Sequence, residues 1–253
     1  MMSRPALIEI AVDRVDDALA AIDAGADRLE LCSALDHHGL TPARDLVRAA
    51  AGRVGTVAMA RPAPGSVHDR ASWSRTLDDA RAVIDAGAGG VVFGCLTAGG
   101  RVDAGRVMAM VALCRAAGAE AVFHRAIDLA ADPPGALREL ADLGVARVLT
   151  SGHSGPRTAR DLGEIEAAWP MSPAWHAGGD EMPRRIERLR AMVDAACAKP
   201  GEIAVLVGGG VRAENARMIL EQSGCGELHS SARAGVPPLF SAASVRALVA
   251  AVR

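Results

Sequence analysis

Ala117-Gly-Ala-Glu-Ala-Val-Phe-His-Arg-Ala-Ile-Asp128 contains the rule by which the whole chain is built. A stretch at helical period stops at Ala117-Gly118, where glycine closes a helix in the left-handed conformation. A short apolar run from Glu120 to His124 follows, and the chain then leaves through a histidine, an arginine and, three residues on, an aspartate. Helix stop, strand and polar exit in that order describe one βα junction. Packing gives no reason for three ionisable groups at a strand exit.

The same order recurs on both sides. Ala24-Gly-Ala26, Ala86-Gly-Ala88 and Leu143-Gly-Val145 each end an Ala/Leu/Arg-rich stretch and feed a β-branched or Leu-rich run. Strands are predicted at Ile8 to Val12, Arg28 to Cys32, Val54 to Ala60, Gly90 to Gly94, Glu120 to His124, Arg147 to Thr150, Ile203 to Val207 and Glu227 to Ser230. Helices are predicted at Val15 to Ala24, Pro42 to Ala51, Ser72 to Ala86, Asp103 to Ala117, Pro133 to Leu143, Ala213 to Gln222 and Ser241 to Val252, with a broken region from Pro156 to Ala198. Eight βα units without a linker predict an α/β fold of one domain, a closed (β/α)8 or TIM barrel spanning residues 1 to 253. An open doubly wound sheet is the alternative. The Pro/Gly-rich insertion Trp169 to Pro183, between the sixth and seventh strands, is read as a lid over the barrel mouth.

Bulk properties narrow the function. The chain is 50% hydrophobic and 23% charged, and no apolar run approaches the ~20 residues of a membrane helix. No signal peptide is evident, so the expected address is the cytoplasm. A net charge of -2 and 2% aromatic content give neither a basic footprint nor stacking platforms for nucleic acid. Cys32, Cys95, Cys114, Cys197 and Cys225 are scattered without a C-x-x-C pair, which argues for reduced thiols. Of the 28 lysines and arginines only Lys199 is lysine, and it follows a predicted helix, so a strand-end Schiff base has no nucleophile.

In such a barrel the C-terminal strand ends carry function. All seven histidines fall there: His37, His38, His68, His124, His153, His176 and His229. Alternation along the strands puts Glu9, Glu30, Glu120 and Glu227 on the phase opposite their Ile, Leu or Phe neighbours, together with Cys32, His124 and His229. Charges inside a packed barrel need partners or a use. One reading is a buried ion-pair layer with Arg28, Arg61, Arg125 or Arg147, with Glu120, early in its strand, as the structural member. The other is an acid/base set in which Glu9, Glu30 and His124 move protons, His124 titrating near working pH, while Arg61 or Arg125 holds an anionic group. Gly208-Gly-Gly210 and Ser230-Ser231 follow the last two strands, where barrels often bind phosphate, so Gly209, Gly210, Ser230 and Ser231 are read as anion contacts.

Ile8-Glu-Ile-Ala-Val-Asp13, Gly25-Ala-Asp-Arg-Leu-Glu-Leu-Cys-Ser33, Gly39-Leu-Thr-Pro42, Phe123-His-Arg-Ala-Ile-Asp128, Val148-Leu-Thr-Ser-Gly152, Gly208-Gly-Gly-Val-Arg-Ala-Glu-Asn215 and Glu227-Leu-His-Ser-Ser-Ala232 together resemble the CutC family of copper homeostasis proteins, in order and over essentially the whole chain. The resemblance implies a cytoplasmic TIM barrel, a homo-oligomer, linked to copper tolerance and to Cu(I) binding through cysteine. Its polar cluster falls on Glu9, Glu30, Arg61, His124, Arg125 and Asp128, and its cysteine on Cys32; by ligand softness Cys32 with His124 or His229 is the candidate Cu(I) site, His229 being the ligand favoured. The chain departs from the family at Ala11, where a second cysteine is common, at Arg61-Pro-Ala-Pro-Gly65, and in having no tyrosine. Two functions follow: a copper homeostasis protein binding Cu(I), or a metal-independent acid/base enzyme acting on a small anionic substrate, phosphorylated or not.

Overall fold

A computed structural model describes residues 6–153, 181–198 and 203–253. Eight strands, β1 (Leu7–Val12), β2 (Arg28–Leu31), β3 (Gly55–Met59), β4 (Gly90–Phe93), β5 (Glu120–Phe123), β6 (Arg147–Thr150), β7 (Ala204–Val207) and β8 (Glu227–Ser230), pair in parallel in chain order. β1 pairs with β8, which closes the barrel. Around it lie α1 (Val15–Asp23), α2 (Arg44–Ala50), α3 (Arg70–Asp85), α4 (Ala104–Ala116), α5 (Pro133–Asp142), α6 (Glu181–Cys197), α7 (Ala213–Ser223) and α8 (Ala242–Val252). The expected TIM barrel is the observed fold.

The alternation read from the sequence separates two cores. Ile8, Ile10, Leu29, Leu31, Val91, Phe93, Phe123 and Val148 pack outward against the helices, while Cys32, Val57, Met59, Val92 and Val122 fill the barrel interior. Several helices open on a side-chain cap: Asp69, Asp103, Asp132 and Ser241 accept the backbone N–H of Ser72, Arg106, Gly135 and Ser244. Each such cap is worth about 1 kcal/mol.

Three details differ from expectation. Cys32, Gly94 and His124 lie just beyond their strands rather than in them. At His124 the reason is local: its N–H still reaches the carbonyl of Phe93 (2.8 Å), but its own carbonyl turns back to Ile127 N–H and starts the 3-10 turn Arg125–Leu129. After β8 the chain adds a hairpin, β9 (Arg233–Ala234) and β10 (Leu239–Phe240), whose two-residue strands are too short to show a period. The lid segment Trp169 to Pro183 lies outside the described residues except for its last three positions, which start α6, and His176 lies outside them. Among the described residues no helix is long and apolar enough to cross a membrane.

Candidate active site at the barrel mouth

The barrel floor settles which arginines pair with the interior acids. β1 sets Glu9 in register with Arg28 on one side and His229 on the other. Arg28 bonds Glu9 through Nε and Glu227 through Nη2 (2.6 Å). Arg147 then bonds the same Glu227 oxygen (2.9 Å) and Glu120 (3.0 Å). The result is a ladder, Glu120, Arg147, Glu227, Arg28, Glu9, rising from the floor, with Glu120 in the structural place expected of it. Arg61 and Arg125 take no part in these bonds and reach the mouth instead.

At the top of the ladder His229 Nδ1 lies 2.8 Å from Glu9 Oε1 and 3.3 Å from Glu30 Oε2. Burial opposes charge on all three groups. For Glu9 the His229 hydrogen bond and the Arg28 charge outweigh burial and hold the carboxyl well below the usual range. Glu30 has no such bond from arginine, and burial pushes it up to about 7. Burial lowers the His229 imidazole, but the two carboxylates more than offset this and raise it.

A pocket opens above this group. Glu30, Cys32, Arg61, His124, Arg125, Gly209, Gly210, His229, Ser230 and Ser231 line it, so the sequence candidates come together there. Glu9 and Asp128 stand behind its wall. Asp128 accepts from Thr150 Oγ1, from Ser151 N–H (2.9 Å) and from Ser151 Oγ (2.6 Å), and lies 3.6 Å from Arg125 Nε. It ties the β5 and β6 exits together and aims Arg125.

His124 behaves differently from expectation. Burial, then the charges of Arg61 and of His68 and Arg125, lower it to about 3. The expectation that it titrates near working pH is therefore corrected: the ring is neutral. Nδ1 accepts the Ala126 N–H at 3.0 Å, which leaves the proton on Nε2. His124 is a neutral hydrogen-bond donor. Arg61, buried in the loop after β3, donates to the carbonyl of Gly39 (2.9 Å) and presents its guanidinium to the same pocket.

The opposite wall is backbone. Gly209 and Gly210 have φ of +79° and +90°, and a Cβ on Gly209 would lie 2.8 Å from the Cβ of Ser151. Only glycine lets β7 turn this tightly against β6. Ser230 Oγ donates to the Val211 carbonyl (2.8 Å) and so holds this loop, leaving Ser231 beside the opening.

Sequence reasoning missed Met59 and Arg233, which also line the pocket, and Arg185, whose buried guanidinium on α6 grips the Ser151 carbonyl (2.8 Å). Nothing in the sequence separates Arg185 from its neighbours Arg184 and Arg188.

The sequence profile of the CutC family matches residues 6–162 and 176–234. The chain belongs to the CutC family. A CutC family protein of Treponema denticola is 35% identical over 228 residues, covering 89% of this chain and 80% of that protein. A human copper homeostasis protein cutC homolog is 35% identical over 230 residues, covering 90% of this chain and 73% of that one. The crystal structure of the CutC protein from Streptococcus agalactiae superposes with a TM-score of 0.72 at 24% identity, covering 89% of this chain and 98% of that one.

Membership of the CutC family brings Cu(I) into question, a soft ion that prefers sulfur ligands. Cys32 is the one cysteine facing the mouth among the described residues, and its thiol donates weakly to the Val12 carbonyl (3.7 Å). Burial first, and then the neighbouring Glu30 charge, push that thiol well above its ordinary value, so it stays protonated. Ala11, which also lines the pocket, offers no second thiol beside it. Among the described residues, the ligand-bearing side chains that converge are Glu9, Glu30 and His229, an oxygen and nitrogen set without Cys32. This donor set does not fit Cu(I).

Proposed function

We propose that this CutC family protein serves in copper homeostasis, the role for which its relatives are named, and that its working part is the barrel mouth, which binds a small anionic ligand. One observation carries the reading: Arg61, Arg125 and the neutral His124 donor face one pocket whose far wall is the glycine turn Gly209-Gly210. Two guanidiniums and an N–H donor in a concave, largely buried site are a receptor for carboxylate or phosphate. The protein acts in the cytoplasm, where five free cysteines persist as thiols. Copper tolerance then depends on the anion bound there, and Cys32 and His229 shape the pocket beside it.

A second reading, an acid/base enzyme acting on that anion, is favoured by the His124 tautomer. A neutral N–H held beside two guanidiniums can donate to a developing oxyanion, with Glu30 facing it as the proton carrier. Glu9 and Asp128 then position rather than react.

Calorimetric titration with inorganic phosphate and with malonate at pH 7 tests the proposal. The parent binds at least one of them, Arg61→Gln loses it, and the exposed-surface variant Arg48→Gln does not. A parent that binds neither anion removes the ligand reading. In a host made copper-sensitive by loss of its own homologue, the parent restores growth and Arg61→Gln does not; equal rescue detaches the pocket from the copper role.

A further inference from the structure

The geometry points to a divalent-cation site formed by Glu9, Glu30 and His229 where β8, β1 and β2 meet, which we propose takes Zn²⁺, Mn²⁺ or Cu²⁺ and not Cu(I). Three observations carry it.

The first is spacing. His229 Nδ1 stands 2.8 Å from a Glu9 oxygen and 3.3 Å from a Glu30 oxygen, and the three ligand atoms all lie within 4.8 Å of one another. Ligands about 2.0–2.2 Å from a zinc-sized ion stand about 2.8–3.6 Å apart at octahedral or tetrahedral angles. The two measured edges therefore match a coordination shell with only small adjustment. A single ion replaces the hydrogen on His229 Nδ1, which goes to solvent.

The second is charge. The connected ladder contains the carboxylates of Glu9, Glu30, Glu120 and Glu227 but only two guanidiniums, Arg28 and Arg147. With Glu30 ionised and His229 neutral, the state in which they ligate, the ladder carries an excess of two negative charges, which one divalent ion matches. Glu9 and Glu30 are 1% and 4% exposed, so water does little to disperse that excess.

The third is support and access. Arg28 holds the second oxygen of Glu9, and the parallel register fixes Glu9 beside His229, so an outer shell already orients the ligands. Glu30 and His229 also line the pocket, which gives an ion a route in and leaves its remaining positions open to water or to the anion. Two carboxylates and an imidazole suit borderline and hard divalent ions, whereas Cu(I) prefers sulfur. This inference goes beyond the anion reading, and either can stand without the other.

Calorimetry on chelator-stripped protein, with each ion alone and no anion present, tests it. The parent takes up one Zn²⁺, Mn²⁺ or Cu²⁺ per chain. Glu30→Gln, which keeps the shape of the side chain, and His229→Gln each weaken uptake at least about tenfold, whereas Cys32→Ala leaves it unchanged. With Cu²⁺, paramagnetic resonance of the parent shows coupling to one imidazole nitrogen, which is absent in His229→Gln. Should His229→Gln fail to fold, Glu30→Gln and the parent spectrum decide. Failure of the parent to bind any of the three ions, full uptake in Glu30→Gln, or loss of uptake in Cys32→Ala overturns the inference.

Discussion

Gly94 at the end of β4 gives the His124 ring its place: a Cβ on Gly94 would lie 2.2 Å from His124 Cε1 and 2.5 Å from Nδ1. The absence of one methyl group lets an imidazole cross to the neighbouring strand end and keeps Nδ1 on the Ala126 N–H. Gly94→Ala must push the ring out. The expected cost is about 1–3 kcal/mol in urea unfolding, the range for overfilled interiors, together with loss of anion binding. Unchanged stability with unchanged binding would show that the ring has room elsewhere.

The neutral state of His124 sets a pH dependence. Its folded value is depressed to about 3, below the 6.5 of the free side chain, so the unfolded chain binds the proton that the folded chain excludes. Stability is therefore intact above pH 6.5 and falls as pH drops from there toward about 3. Between pH 7 and pH 5 this amounts to roughly 2 kcal/mol, at about 1.4 kcal/mol per unit below 6.5. Glu30 and His229, both raised, work in the opposite direction, but they are shared with His124→Asn and cancel in the comparison. Urea midpoints at the two pH values should separate for the parent and stay closer together for His124→Asn. Parallel losses in both proteins would refute a buried neutral ring.

Much of this is legible in the sequence. Alternation along β1, β2, β5 and β8 put Glu9, Glu30, Glu120, Glu227, His124 and His229 on the inner phase, and glycine stops after helices marked the strand starts. Which arginine meets which acid was not legible, because Arg28, Arg61, Arg125 and Arg147 all border strands and only barrel closure sets Arg28 between Glu9 and Glu227. The charge of His124 was equally hidden, since it depends first on burial and then on Arg61 and His68, which arrive from the segment after β3. Arg185 is buried only because α6 crosses the Ser151 carbonyl, a contact between segments that no local pattern encodes.

The ladder predicts a contrast between two arginines. The Arg28 side chain is 6% exposed and bridges Glu9 and Glu227, so Arg28→Met strands the second Glu9 oxygen away from water, while Arg147 still holds Glu227. The expected loss is about 3–5 kcal/mol, the cost of stranding a buried charge. Arg48, 60% exposed in its pair with Asp45, should lose less than about 1 kcal/mol on substitution by alanine. Similar losses for both, measured by denaturant unfolding at low and high salt, would mean that the ladder is screened by water and contributes little.

Asp128 separates positioning from chemistry. Its two oxygens accept from Thr150 Oγ1, Ser151 N–H and Ser151 Oγ, and one lies within 3.6 Å of Arg125 Nε. An asparagine has a single accepting oxygen, so one of its N–H groups must face donors that already point inward. Asp128→Asn should therefore cost about 1–3 kcal/mol of stability, the range for a buried polar group left without a partner. It should also release Arg125 from its orientation and weaken phosphate or malonate binding. Arg125→Lys should weaken the same binding while leaving the Asp128 bonds to Ser151 in place and most of the stability with them, because lysine keeps the charge but loses the fork. If Asp128 instead reacted with the ligand, Asp128→Asn would leave affinity near that of the parent and abolish only turnover, and that split in the titration would assign it to the chemistry.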